Sequence, residues 1–138
     1  MEQPAFSNKH KHLEFVQAAV NRMASNLFLL KGWSITLIAG LFALAAKDAN
    51  QSFVLIAYFP LLIFWCLDGY FLSQERRFRA LYDQVRSLNE AYIDFSMDTR
   101  PFGDDPRNSW AGAILSRTLL IYYAGLALVM LVLRYMVR

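Results

Sequence analysis

The sequence predicts an all-α membrane protein with three transmembrane helices and cytoplasmic helical extensions, N-terminus inside and C-terminus outside. The first observation is a pair of apolar runs, residues 27–46 (LFLLKGWSITLIAGLFALAA) and 52–72 (SFVLIAYFPLLIFWCLDGYFL). Each has the length of about 20 residues that a helix needs to cross roughly 30 Å of hydrocarbon. The second is a further run at residues 115–137, unbroken from Leu119 onward. With 57% hydrophobic and only 18% charged residues, the chain is far oilier than a soluble domain of this size requires. The third is the placement of lysine and arginine. Lys9, Lys11, Arg22 and Lys31 precede or open the first run. Arg76, Arg77, Arg79, Arg86, Arg100, Arg107 and Arg117 lie between the second and third, whereas only Lys47, Arg134 and Arg138 fall on the other side. The positive-inside rule then puts the N-terminus and the long loop in the cytoplasm. The net charge of +3 is mostly topology, and no nucleic-acid partner is expected, because the loop arginines are matched by as many carboxylates.

Four segments follow in order. Residues 1–26 predict a cytoplasmic amphipathic helix, with Ser7 or Asn8 as cap and a seam of Leu13, Val16, Val20, Met23, Leu27 and Leu30 at heptad spacing. No glycine or proline separates it from the first span, so the two run on as one helix. Residues 27–72 predict a transmembrane hairpin folded at the polar turn 47–51, too short for anything but antiparallel neighbours. No signal peptide with a small-residue cleavage site is visible at the start. Within the hairpin, Pro60 predicts a kink, and Cys66 is read as a small buried apolar residue. Residues 73–114 predict a cytoplasmic helix to about Tyr92, then a loop over 94–110. The helix carries the matching seam Phe78, Leu81, Val85, Leu88, Tyr92 and Phe95, and the two seams bury each other in an antiparallel stalk. Residues 115–138 form the third span and a short tail, with Ser109 as a cap. Trp33, Trp110 and Tyr135 sit where interfacial aromatics anchor a membrane protein.

The sharpest feature is a pair of opposite charges. Lys31 lies sixteen residues before Lys47 and Asp68 sixteen after Ser52. At about 1.5 Å per residue both are some 24 Å below the same turn, level with each other near the cytoplasmic face. A structural ion pair fixing hairpin register is favoured over an ion or proton pathway. Gly32, Thr36, Gly40 and Ala43 form a small-residue ridge. With Ser34 they are candidates for a helix-packing face or for the wall of a pore assembled from several copies. Arg76, Arg77 and Arg79 are candidates for contact with an anionic lipid or ligand. Asp94, Asp98, Asp104 and Asp105 read as a solvated acidic loop salt-bridged to nearby arginines. His10 and His12, beside Glu14, read as solvated, so no metal is expected. No nucleophile elbow, Walker loop, HExxH or CxxC occurs, which points away from an enzyme, and no cofactor is expected.

The strings NLFLLKGWSITLIAGLFALAAKD, YFPLLIFWCLDGYFLSQERRFRALYDQVR and DFSMDT resemble a group of small bacterial membrane proteins. The layout is similar to that of SLATT-type membrane effectors of bacterial conflict systems, from which a third span sets this chain apart. The resemblance implies a homo-oligomer in the bacterial inner membrane that alters ion permeability in antiviral defence. A cytoplasmic sensor protein or a nucleotide signal would trigger it, and no catalytic residues come with the resemblance. The alternative is a non-conducting scaffold that anchors a cytoplasmic partner.

Overall fold

The computed structural model describes residues 7–48 and 51–136, and every regular element among them is helical. Helix α1 runs without interruption over Asn8–Asp48 and α2 over Gln51–Ser87. Two single 3₁₀ turns follow, Glu90–Tyr92 and Arg100–Phe102, then a short α3, Trp110–Ile114, and finally α4, Arg117–Met136. The helices α1, α2 and α4 are long and apolar enough to cross a membrane. The centre of the 47–51 turn lies outside the described residues, as do Val137 and Arg138.

Local chemistry explains where the helices begin and end. The Ser7 hydroxyl accepts the backbone N–H of His10 at 3.2 Å, closing the first turn of α1. Pro60 sits inside α2 without breaking it, since a membrane helix tolerates one missing backbone bond when neighbours cover the freed carbonyl. The helix stops at Ser87, earlier than the seam implied. Tyr92 lies in a 3₁₀ turn and is 71% exposed, so the heptad periodicity overruns the helix that it predicts. Ser109 caps α3 rather than the third span, its hydroxyl accepting the Gly112 N–H at 3.0 Å. A break at Leu115–Ser116 separates α3 from α4.

The protein has two cores on one hairpin. At the end of the hairpin far from the 47–51 turn, the stalk, Val16 of α1 meets Leu81 and Val85 of α2, with Leu13, Phe78 and Tyr82 against them. In the spans Ile38, Phe42 and Ala45 of α1 meet Val54, Ala57 and Leu61 of α2, and α4 adds Leu119, Tyr123 and Met130. Gly69 of α2 is where α3 comes closest, because a Cβ there would strike the Ile114 side chain. Gly112 is required for a similar reason, since a Cβ would run into the Pro106 carbonyl as the loop folds back on α3.

Candidate functional site

Helices α1, α2 and α4 converge on a single carboxylate oxygen. Lys31 Nζ donates to Asp68 Oδ2 at 2.7 Å, and the Tyr123 hydroxyl donates to the same atom at 2.8 Å. Asp68 is fully buried, whereas the Lys31 side chain keeps 27% of its surface exposed. The neighbouring Tyr122 hydroxyl donates to the Lys31 carbonyl at 3.1 Å, and the Ser34 hydroxyl donates to that carbonyl at 2.8 Å. The Lys31 ammonium also lies 5.5 Å from the centre of the Tyr122 ring, within cation–π range. Asp68 Oδ1 has no hydrogen-bond partner among the described residues. A buried carboxylate is tolerable because an ammonium neutralises it and a hydroxyl solvates it. The arrangement fixes the axial register of α1 against α2 and the rotation of α4 against both.

The two tyrosines are the functional groups that sequence reasoning missed. Their signal was present: a side-chain hydroxyl within an apolar span needs a partner, and two stand side by side at 122 and 123. Ser34 is corrected, because it is fully buried in this network and does not share a face with Gly32, Thr36, Gly40 and Ala43. Those four lie on the outside of α1, and a Cβ at Gly32 or Gly40 would meet nothing within 4 Å. The Thr36 hydroxyl turns back onto the Gly32 carbonyl. The small ridge is therefore not the surface on which the hairpin packs. Cys66 is exposed rather than buried.

The arginine cluster divides. Arg77 Nε donates to the Asn108 carbonyl at 3.2 Å, a carbonyl that also accepts the Ser73 hydroxyl at 2.6 Å, so Arg77 clamps the loop onto α2. Arg79 pairs with Glu75 one turn back at 2.7 Å. Arg76 donates through Nη1 to the Arg107 carbonyl at 2.6 Å. The loop aspartates serve local turns: Asp94 accepts the Ser96 N–H and Asp105 the Arg107 N–H. The Asp98 carboxylate accepts bonds from Arg100, and these hold its pKa down at about 2. His12 departs from expectation, being 1% exposed rather than solvated. Its Nε2 bonds the Ser96 carbonyl at 2.9 Å, and its ring lies against Phe95, whose φ of 57° is the left-handed conformation costly for a side chain. His10 stays at the surface beside Ser7, and no group of three metal-ligating side chains forms among the described residues.

Comparison of the chain with protein-family models, with curated proteins and with solved structures gives no match.

Proposed function

We propose that the protein is a homo-oligomeric effector of the bacterial inner membrane, N-terminus inside, whose assembled spans alter ion permeability when a cytoplasmic partner or ligand engages the stalk. The observation that carries this reading is mechanical. Helices α1 and α2 are each continuous from the stalk core to the Lys31–Asp68 pair and into the membrane core, so a displacement at Val16 or Leu81 has an unbroken helix along which to reach that pair. The Lys31–Asp68 pair lies between the two cores and couples that motion to α4 through Tyr123. Three helices cannot enclose a water path by themselves, so conduction belongs to an assembly, with the Gly32–Gly40 face of α1 available to a neighbouring copy. A face so apolar stays dry and shut at rest, as a conditional effector requires.

A scaffold role is favoured by a different observation. Lys31, Ser34 and Oδ2 of Asp68 find their partners within one protomer, and Oδ1 of Asp68 is buried, leaving Thr36 as the polar group on the exposed ridge. Expression in bacteria loaded with a potential-sensitive dye separates the two. An effector depolarises the cell, and Gly40→Leu, which fills the open face, abolishes the signal without lowering the amount of protein in the membrane. An unchanged potential, with a soluble partner co-purifying, leaves the scaffold.

A further inference from the structure

We infer that Arg76 of α2 and Arg107 of the loop form a clasp for the anionic headgroup of an inner-leaflet phospholipid. The loop places the two together, since Arg76 Nη1 holds the Arg107 backbone carbonyl at 2.6 Å. Neither guanidinium has a carboxylate partner among the described residues; the ion pairs there are Lys31–Asp68, Arg79–Glu75, Arg86–Asp83 and Arg100–Asp98. The acid nearest Arg107 in sequence, Asp105, spends an oxygen on the Arg107 backbone N–H, and Glu75, next to Arg76, is taken by Arg79. Arg107 makes no side-chain hydrogen bond to the described residues, and Arg76 keeps Nε and Nη2 uncommitted. The Arg76 guanidinium thus sits on the backbone of a residue whose own side chain is an unpaired, exposed cation, and phosphate oxygens suit the planar guanidinium fork of each.

Depth selects the source of that anion. Arg76 is eight residues beyond Asp68 on a continuous helix, about 12 Å further toward the cytoplasmic side. With the spans crossing as proposed above, on which this assignment rests, the ion pair lies just inside the hydrocarbon and the two arginines fall at the level of lipid phosphates. Trp110, three residues after Arg107, is 51% exposed and donates its indole N–H to the Cys66 carbonyl, an anchor for the same boundary. Arg79 differs from this pair because it is already bonded to Glu75, while Arg77 reaches the next loop carbonyl, that of Asn108, and is part-buried there.

The test uses the full chain, purified in detergent with equal phosphatidylglycerol and phosphatidylcholine, and counts retained lipid by native mass spectrometry. The wild-type protein retains phosphatidylglycerol in preference. Arg107→Gln reduces that preference by about fivefold, the effect of one basic residue at an anionic surface, and Arg76→Gln does so again. Arg79→Gln leaves it unchanged, and Arg107→Lys restores most of it. Because the Arg107 side chain supports nothing else in the fold, its variant reports binding and not unfolding. Equal retention of the two lipids by the wild-type protein overturns the assignment. So does an Arg79→Gln loss as large as that of Arg107→Gln.

Discussion

The same two helices are held together by opposite means at their two ends. In the stalk Val16, Leu81 and Val85 are buried as in any soluble helical pair, and the one buried polar side chain there among the described residues, His12, bonds a loop carbonyl and does not bridge the two helices. In the spans the hydrophobic effect gives no preference for helix over lipid, because acyl chains are as apolar as leucine. Specificity there falls to close packing and to the few polar atoms. The carboxylate of Asp68, with Lys31 and Tyr123, does for the membrane end what the apolar seam does for the stalk. A polar cluster in an oily solvent and an oily seam in water are one solution in two solvents.

The largest break in this symmetry is expected from Lys31→Ala. It leaves a fully buried carboxylate with one hydroxyl for company and costs about 3 kcal/mol, measured by steric trapping or by melting in detergent. Asp68→Ala costs less, because the remaining lysine is partly exposed and can extend to the headgroups. Replacing both by Lys31→Met and Asp68→Leu recovers most of the loss. Additive penalties in that cycle would show that the two charges act independently.

Leu81→Ala is expected to cost about 2 kcal/mol, and to cost it locally. Hydrogen exchange should quicken in the stalk amides while those of the spans stay protected; uniform acceleration would mean that stalk and spans unfold as one unit. Tyr123→Phe removes one hydrogen bond inside the membrane and is expected to cost about 0.6 kcal/mol, detectable only against the wild-type melt.

The smallest effect concerns the loop and pH. The folded pKa of Asp98 lies at about 2, below the ordinary aspartate value near 3.9, so its bonds to Arg100 are intact above that value. They are lost as pH falls through 2, and the Arg100 amide resonance should shift over that window while the spans remain unchanged.

How much of this was legible in the sequence follows from which forces are local. The helices, their length and the two seams are periodic features, so Val16, Val20, Leu81 and Val85 could be placed in a core by counting. Counting also put Lys31 and Asp68 at one depth. Rotation of α4 about its own axis has no such signal. The partnership of Tyr123 with Asp68 depends on how the loop at 103–109 lays α3 against Gly69, a long-range matter decided by Ser73, Arg77 and Asn108. His12 escaped for the same reason, since its acceptor at Ser96 lies eighty-four positions away. Ser34 was misplaced because a small polar residue between two glycines reads as part of their stripe until α4 shows which side is inward.

That one oxygen of Asp68 receives both Lys31 and Tyr123 bears on how the chain enters the bilayer. Lys31 and Asp68 both belong to the first two helices, so the hairpin can neutralise its buried carboxylate before α4 has been made. The last helix then meets a socket whose charge is already balanced and to which Tyr123 adds a hydroxyl. Assembly thus has a built-in order of birth, hairpin before latch.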